Sequence, residues 1–447
     1  MQEYISCNRE DLFGGCDSVT IHNAIAAAEL DGCRKIIIPR YNLRTNSTQW
    51  RISNAIRIPS NFTVILDNCN LIQETGAFDN MFTNSLSDQF PKTLENEQHD
   101  ISVLGVGNVC LSGGEFNGVY ERTAGHYGLP SVRKNTMFLW YNVRNLRVEN
   151  LHIEHQRHWG MTHFFCRNVK LRNIDFFAIP HIPNMDGIDL RVGCHDFEIE
   201  NVTGRTSDDT VAMTALGRMD QVEGKEPHIH HIKIRNVLSD PFMYLNVRVL
   251  NQDGNQIHHV DVDTVMDVSE YYTKRKPRAA IGIGAQGNVY TKFCHTEPGE
   301  TRELSFRHIY SRAGMAVRLD EYCADTTFTN VKTFNTNVVG VSTLGLGLKL
   351  ENVVFDGFYY SSKPYDPYVN MVDNQEHFLP SILRLPRASG ELVMKDVRVN
   401  GLNCLCELGG GNLQIRFEES GISEIKQLLV NRSDETVMIN GEVCGDA

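Results

Sequence analysis

The amino-acid sequence predicts an all-β solenoid, a parallel β-helix, and three observations lead to that prediction. A short template of alternating apolar residues, closed by Asn and then Val or Ile, recurs at steps of 22, 23 and 28 residues. Gly, Asn and Asp interrupt its copies too often for helical repeats. Short strands repeated at one period bury their apolar edges only on their neighbours, which is typical of a solenoid. The template occurs at 146–151, 169–174, 197–202, 232–237, 260–265, 304–309, 328–331, 348–353 and 392–397.

The Asn that closes the template is expected to turn the chain. Asn tolerates a left-handed backbone conformation and can hydrogen-bond to its own backbone. Because the template repeats coil after coil, residues such as Asn150, Asn173 and Asn201 would stack on one another. We therefore expect an Asn ladder along the axis of the solenoid.

The N-terminal region predicts a capping helix followed by a first strand. Residues 17–31 carry Ser18 at a plausible N-cap, and the apolar residues of the segment lie at helical spacing. Residues 35–39 (KIIIP) then indicate a buried strand that ends at proline. A helix placed before the first coil would cover the open end of the core and protect it from edge pairing. The apolar residues at helical spacing are Ile21, Ala24, Ile25 and Ala28.

The whole chain, residues 1–447, is predicted to form a single β-helix domain. Length alone would suggest two or three domains, but a solenoid grows by adding coils, and no linker or block of like charge marks a boundary. An N-terminal cap is expected over about 1–50 and a C-terminal cap over about 405–447. Polar insertions of the kind that commonly form the walls of a binding groove occur at 120–136, 267–280 and 286–300.

Charge, hydropathy, the N-terminus and the cysteines limit the partners and the cell compartment that we expect for this protein. The formal net charge of −12 argues against nucleic acid, and no run approaches the roughly 18 apolar residues of a membrane span. The N-terminus shows no signal peptide, which predicts a cytoplasmic protein, or a secreted one if a signal has been removed. The twelve cysteines are scattered, and only Cys404 and Cys406 are close, at a spacing unlike that of zinc sites. We expect buried, reduced thiols; the sequence leaves the oligomeric state open.

Three carboxylates stand out at the centre of the chain. Asp186 precedes the adjacent pair Asp208 and Asp209 by 22 residues, which is one coil of the predicted solenoid. Because neighbouring strands lie roughly 4.8 Å apart, the three side chains are expected to share one patch. Alternation along the strands predicts that Asp189 and Arg248 also face outward there.

Residues 157–213 resemble glycoside hydrolase family 28, the polygalacturonase-like group. The matching pieces are 159–164 (WGMTHF), 166–169 (CRNV), 184–189 (NMDGID) and 208–212 (DDTVA), and weaker similarity extends over most of 15 to about 325. The resemblance implies a right-handed, single-stranded β-helix and an inverting hydrolase with no cofactor and no metal. It implies that Asp208 protonates the glycosidic oxygen while Asp186 and Asp209 activate the attacking water.

A group of three carboxylates suits inverting glycoside hydrolysis. An inverting glycosidase needs one carboxylic acid and one carboxylate about 6.5–9.5 Å apart, so that a water fits between them. Crowding acids into one patch raises the pKa of at least one of them, which keeps a proton available near neutral pH. The alternative is a purely structural role for Asp186, Asp208 and Asp209 as turn residues, but their spacing of one coil favours catalysis.

The resemblance also assigns substrate contacts. Arg248 matches the substrate-binding Arg of the family, and Tyr322 resembles its active-site Tyr. Leu250 stands where the family carries Lys, and no Gly-His-Gly segment is present. Since such cations bind a uronate carboxylate, the departures leave the sugar and its linkage open.

Three further side chains complete the expected site. Asp189 is expected to orient other groups, and either His158 or His163, which flank the acids by coil position, can replace the missing histidine. The bulky insertions and the absent signal favour exo action on oligosaccharides derived from plant or microbial cell walls, such as pectin.

Two other classes of function remain open. A polysaccharide lyase or uronate epimerase could use the same scaffold, but lyases need Ca²⁺ or a basic residue, and no Lys or Arg base lies beside the acids in sequence. A non-catalytic carbohydrate-binding β-helix would have no reason to stack three acids. A zinc site at His152, His155 and His158 is disfavoured, because this run spans a strand and its turn.

Overall fold

The computed structural model describes most of the chain. The described residues are 3–89, 96–114, 135–180, 182–216, 222–242, 244–252, 254–269, 279–284, 296–334, 339–343, 347–361, 381–400, 404–422, 429–430 and 436–443. The insertions predicted at 120–136, 267–280 and 286–300 lie largely outside these residues.

The chain packs into two compact units, Met1–Asp208 with Val222–Glu226, and Asp209–Gln221 with Pro227–Ala447. Both are built from short strands that pair in parallel with the strand one coil away. The chain has the right-handed parallel β-helix fold that was expected. The single domain over the whole chain stays a prediction.

The described residues of the first unit form one α-helix, two short 3₁₀ turns and fifteen strands. The helix α1 spans Asp17–Asp31, and the 3₁₀ turns span Glu10–Leu12 and Ser87–Gln89. The strands are β1 (Ile5–Ser6), β2 (Lys35–Pro39), β3 (Gln49–Ile52), β4 (Ile56–Ile58), β5 (Phe62–Asp67), β6 (Asn70–Gln73), β7 (Phe82–Asn84), β8 (Gln98–Val106), β9 (Cys110–Ser112), β10 (Phe138–Tyr141), β11 (Val143–Glu154), β12 (Met161–Phe164), β13 (Arg167–Phe177), β14 (Ile188–Leu190) and β15 (His195–Thr206). Parallel pairing forms the rows β1-β2-β5-β8-β11-β13-β15, β3-β6-β9-β11 and β4-β7-β10-β12-β14.

The second unit continues the same pattern. Its strands are β16 (Val211–Ala215), β17 (Ile229–Pro241), β18 (Leu245–Asn251), β19 (Ile257–Asp267), β20 (Ala279–Ile283), β21 (Thr301–Ser311), β22 (Met315–Leu319), β23 (Tyr322–Thr333), β24 (Val339–Ser342), β25 (Lys349–Ser361), β26 (Ser381–Pro386), β27 (Ser389–Asn400), β28 (Cys404–Gly409), β29 (Asn412–Glu418), β30 (Leu429–Val430), β31 (Thr436–Ile439) and β32 (Glu442–Val443). The odd-numbered strands β17 to β31 pair in one row and the even-numbered strands β16 to β30 in another.

Coil stacking reaches further along the chain than predicted. Strands β28 and β29 still pair in parallel with β26 and β27, so the coils run past residue 405, where a cap was expected to begin. The odd-numbered row ends in an antiparallel pair, β31 with β32. In an antiparallel pair the chain turns back on itself instead of advancing by a coil.

Register places like residues on top of one another. In the second unit, Phe306, Phe328 and Phe355 occupy equivalent positions on consecutive coils, and all three are fully buried. Their rings stack nearly parallel, with centroids 4.9 Å and then 4.3 Å apart. Ring separations of this size match the spacing of adjacent strands, so in-register pairing itself builds an aromatic column in the core.

The predicted Asn ladder is present in the first unit. Asn150, Asn173 and Asn201 have φ values of +61°, +54° and +59°. Asn173 donates from Nδ2 to Oδ1 of Asn150 at 2.7 Å, and Asn201 donates to Asn173 at 2.8 Å. The left-handed conformation and the ladder are therefore confirmed.

The N-terminal helix agrees with a cap, but the predicted N-cap residue is wrong. α1 packs against β1, β2, β3 and β4, the strands of the first coils. Cys16, not Ser18, occupies the N-cap. The Ser18 hydroxyl is buried and accepts hydrogen bonds from the backbone N–H of Ser53 at 3.0 Å and of Asn54 at 3.2 Å. Tertiary contact with the first coil therefore uses the side chain that would otherwise cap the helix.

Two further properties of the described residues concern membrane-spanning helices and cysteines. No helix among them is long and apolar enough to cross a membrane. All ten cysteines in the described segments are free thiols, and seven of them are buried.

Replacing Asn173 by alanine should lower the free energy of unfolding by roughly 1–2 kcal/mol, because the ladder loses its central amide and alanine tolerates the left-handed conformation less well. Asn173→Gly should cost less, since glycine adopts a positive φ freely. Urea unfolding followed by circular dichroism measures both. The matched control is Asn54→Ala, at an exposed Asn outside the ladder; equal losses in Asn173→Ala and Asn54→Ala would contradict a stabilising ladder.

Candidate active site

Asp186 and Asp208 meet in the first unit. Asp186 lies two residues before β14, and Asp208 lies two residues after β15. The backbone N–H of Ser207 donates to the carbonyl of Met185 at 3.2 Å, which holds the segment before Asp208 beside the segment before Asp186. A carboxylate oxygen of Asp186 lies within 4.8 Å of one of Asp208, and each residue is only 6% exposed. The stacking predicted for these two acids is what the structure shows.

Hydrogen bonds hold the carboxylate of Asp208 and the main chain of Asp186 in place. Oδ2 of Asp208 accepts a hydrogen bond from the N–H of Asn184 at 3.1 Å. The carbonyl of Asp186 accepts one from the N–H of Gly160 at 2.9 Å and a second from Nε2 of Gln156 at 3.3 Å. A Cβ on Gly160 would lie 2.6 Å from the carbonyl oxygen of Gly187. Only glycine therefore lets this strand approach the Asp186 segment so closely.

Asp209 follows Asp208 directly in sequence and belongs to the second unit. Its Oδ2 accepts a hydrogen bond from Nη1 of Arg248 at 2.8 Å, and its Oδ1 accepts one from the N–H of Leu245 at 3.1 Å. The side chains of Arg248 and Asp209 are 6% and 1% exposed, so they form a buried ion pair. Arg248, expected to contact substrate, is thus also the cation that balances Asp209.

Asp189 and His158 are buried in the first unit. Asp189 lies in β14, opposite Thr162 of β12. The ring of His158 packs against that of Trp159, with centroids 4.5 Å apart. Trp159 directly precedes Gly160, whose N–H holds the Asp186 carbonyl, so His158 lies two residues from a group that positions the acids.

His163 lies in the core, and the expectation that it contacts substrate is wrong. It is fully buried in β12, where it pairs with Trp140 and Leu190, two core residues. Its ring stands edge-on to Phe197 at 5.4 Å, and its Nδ1 donates to the carbonyl of Asp189 at 3.2 Å. Coil position alone suggested that His163 flanks the acids; alternation along the strand turns it inward, to the same side as Leu190.

Tyr322 lies in a different row of strands from Arg248. It is the first residue of β23, in the odd-numbered row, whereas Arg248 belongs to β18, in the even-numbered row. Its hydroxyl donates to Oε2 of Glu351 at 2.9 Å. Burial and this bond to Glu351 raise the pKa of Tyr322. These contacts place Tyr322 in the odd-numbered row, and its contact with substrate stays a prediction.

Arg191 is a cation that the sequence-based prediction did not include. It is mostly buried, and its guanidinium lies over the ring of Trp159, 5.1 Å from the ring centre. Its backbone N–H donates to the carbonyl of His163 at 2.8 Å. Period-two alternation from Asp189 would have placed Arg191 on the same side as Asp189.

In the second unit, Arg318 was also missed. Strand register aligns it with Arg248 through Gly282. Its Nε lies 2.9 Å from Oδ2 of Asp320, and both side chains are buried. Leu250, where the family carries Lys, is fully buried, so the cation implied there is absent from this strand.

Two groups of potential metal ligands lie apart from the acids in sequence. One consists of Cys110, His152 and Glu154 in the first unit, and the other of His258, His259 and Glu303 in the second. In each group one ligand atom per residue lies within 4.8 Å of the others. His155 and His158 belong to no such group among the described residues.

Comparison with known protein families and sequences gives one consistent answer. Residues 50–235 match the model of the family described as glycosyl hydrolases family 28. Over 224 residues, the chain is 25% identical to a probable polygalacturonase, At1g80170, of Arabidopsis thaliana, covering 48% of this chain and 44% of the relative. Over 130 residues, it is 25% identical to polygalacturonase QRT2 of the same plant, covering 29% of this chain and 27% of the relative. The matches span less than half the length of either relative.

Among solved structures, the chain is similar to a tailspike protein mutant of E. coli bacteriophage HK620 in complex with a pentasaccharide. The TM-score is 0.55 at 11% identity, over 98% of this chain and 79% of the tailspike chain. At this identity the likeness concerns the fold alone.

Removing the cation of the buried ion pair should be costly. Arg248→Met takes away the charge that balances the carboxylate of Asp209, and breaking a buried pair from one side typically costs about 3–5 kcal/mol. The double variant Arg248→Met/Asp209→Leu should recover much of that loss, because no isolated charge then stays in the interior. Urea unfolding measures the free energies. As control, Lys349→Met breaks a pair with Glu351 whose side chains are each 46% exposed, and should cost under about 1 kcal/mol. A cost for Arg248→Met no larger than that of the control would show that Asp209 does not depend on this cation.

His163 should make the fold sensitive to acid. Burial lowers the pKa of His163 from 6.5 to about 4. The unfolded chain therefore binds a proton at a higher pH than the folded chain, so the stability that the neutral ring confers is present above pH 6.5 and is lost as the pH falls towards 4. Relative to His163→Leu, wild type should lose roughly 3 kcal/mol over this interval. Unfolding curves recorded across the interval test it, with His155→Gln as control; parallel pH profiles for wild type and His163→Leu would exclude the effect.

Proposed function

We propose that the chain is an inverting and exo-acting glycoside hydrolase of oligosaccharides derived from cell walls. Its residues 50–235 belong to glycoside hydrolase family 28, the polygalacturonase-like group. One observation carries the proposal: carboxylate oxygens of Asp186 and Asp208 approach within 4.8 Å in a site that excludes most solvent. Paired carboxylates are the chemical requirement of glycoside hydrolysis.

Asp208 is the proton donor of the proposed mechanism. Two carboxylates this close disfavour each other's ionisation, so one of them retains a proton more readily than an isolated acid does. Because Oδ2 of Asp208 accepts the N–H of Asn184, the proton is expected on Oδ1, which would deliver it to the glycosidic oxygen. Breaking the glycosidic bond then releases the leaving sugar as a neutral alcohol.

Asp186 is the principal base of the proposed mechanism. The bonds from Gly160 and Gln156 to its carbonyl fix its backbone, which is what positioning an attacking water requires. Asp209 assists in this proposal, but its ion pair with Arg248 engages one oxygen, so it is the less available base.

The spacing of the acids bears on whether the reaction inverts or retains the configuration of the anomeric carbon. Inverting glycosidases hold their carboxyl groups about 6.5–9.5 Å apart and retaining ones about 5–5.5 Å apart. An oxygen of Asp186 lies within 4.8 Å of one of Asp208, a contact compatible with either arrangement because the centres of two carboxyl groups can lie further apart than their nearest oxygens. Family resemblance implies inversion. The anomer of the first product therefore tests the mechanism.

Arg191, which lies shortly after Asp186 in sequence, supports an anionic sugar as substrate. Arg191 stacks on Trp159, and Trp159 adjoins the Gly160 that holds the Asp186 carbonyl. A guanidinium in this position suits a planar carboxylate such as that of a uronate. With Leu250 in place of the family's Lys, we propose that Arg191 supplies positive charge for uronate-containing oligosaccharides.

Asp208→Asn should lower kcat by 10²–10⁴-fold while leaving the fold intact, because the amide cannot supply the proton. The measurement is a screen of oligogalacturonides and related oligosaccharides, with the anomer of the first product followed by NMR. Asp196→Asn, at an exposed Asp in β15, is the matched control and should keep wild-type activity.

Each result of the screen has one meaning. Inversion together with loss of activity in Asp208→Asn is the expected outcome. Retention of configuration would overturn the inverting mechanism, and an unsaturated product that absorbs in the ultraviolet would identify a lyase. Equal activity in Asp208→Asn and wild type would remove Asp208 as the acid.

A further inference from the structure

We propose that Cys110, His152 and Glu154 form a zinc-binding site on the first unit. One ligand atom from each residue lies within 4.8 Å of the other two, which brings a sulfur, an imidazole nitrogen and a carboxylate oxygen together. These are the donors that Zn²⁺ takes in proteins, and three of them leave a fourth position for water.

Strand register, not sequence proximity, assembles the three residues. His152 and Glu154 lie two positions apart on β11, so their side chains project from the same face. Cys110 of β9 pairs directly with His152, although 42 residues separate them in the chain. The site therefore exists only when the two coils are stacked.

A second carboxylate orients the histidine as in many zinc proteins. Nδ1 of His152 is hydrogen-bonded to Oδ2 of Asp175 at 2.6 Å, and Oδ1 of Asp175 accepts the hydroxyl of Thr203 at 2.6 Å. With its proton on Nδ1, the ring directs the lone pair of Nε2 towards Glu154, whose Oε2 lies 3.8 Å away. A carboxylate on the far nitrogen fixes the ring and strengthens it as a ligand.

A surface cavity and partly exposed side chains leave room for an ion at this site. Cys110 and His152 line a surface cavity of about 440 Å³, which gives the fourth position access to solvent. Tetrahedral zinc places neighbouring ligand atoms about 3.4–3.6 Å apart. The side chains of His152 and Glu154 are 38% and 31% exposed, so they can close the remaining distance by small rotations.

The same residues exclude a catalytic cysteine as the simpler explanation. Cys110, His152 and Asp175 follow the order nucleophile, base and orienting acid. However, the carboxylate of Glu154 lies beside both the thiol and the imidazole, a third donor that a relay of nucleophile, base and orienting acid does not need. Glu154 would instead attract a dication, and the metal would displace the proton of the thiol.

Cobalt(II) titration of the full-length protein tests the site. Co²⁺ replaces Zn²⁺ in such sites, and a cysteine ligand produces a sulfur-to-cobalt charge-transfer absorption in the near ultraviolet. Wild type should show this band, Zn²⁺ should abolish it by displacement, and Cys110→Ser should lack it. Cys33→Ser, which changes a partly exposed thiol elsewhere, is the matched control and should behave as wild type. The histidine pair at His258 and His259 contains no sulfur, so cation binding there leaves the band unchanged.

Further variants separate ligands from the orienting residue. Glu154→Gln should weaken Co²⁺ binding, and Asp175→Asn should weaken it 10–100-fold while the spectrum of the saturated site keeps its shape. Zn²⁺ should raise the unfolding midpoint of wild type but not that of Cys110→Ser, and circular dichroism shows whether that variant is folded. Absence of the band in wild type, or its persistence in Cys110→Ser, would overturn the proposal.

Discussion

In-register parallel pairing of strands one coil apart is the constraint on which the other features of this protein depend. It sets side chains of equivalent coil position about 4.8 Å from one another, and whatever the sequence repeats at that position becomes a column. Amides make the ladder through Asn173, and phenyl rings make the stack through Phe328. Each column stabilises the register that created it, because a slip of one residue would turn the side chains to the other face.

The same constraint brings together groups that would otherwise repel. Asp186 and Asp208 lie on adjacent coils with carboxylate oxygens within 4.8 Å, and the Asp186 segment is held by a strand contact that tolerates no side chain at Gly160. Like charges forced together by a rigid backbone cannot relax apart, which is how a stable scaffold maintains reactive carboxylates. In the second unit, Arg248 balances the charge of Asp209 by pairing with it.

Register also creates sites between residues that are remote in the chain. Cys110 and His152 belong to different coils, and Asp175 and Thr203 extend the same column over two more. The column contains a thiol, an imidazole, a carboxylate and a hydroxyl, linked from His152 onward by short hydrogen bonds. A solenoid can thus hold a polar column on its surface independently of the acids at Asp186 and Asp208.

The sequence by itself determined the solenoid, its coil length, the left-handed Asn turns and the stacking of Asp186 on Asp208, because all of these follow from spacing along the chain. Tertiary structure decided which way single side chains point and which row a strand joins. His163 turned inward, and Tyr322 entered the odd-numbered row after Glu321, whose φ is +68°. A left-handed residue at a corner breaks the simple alternation of sides, so counting residues beyond such a corner no longer predicts orientation.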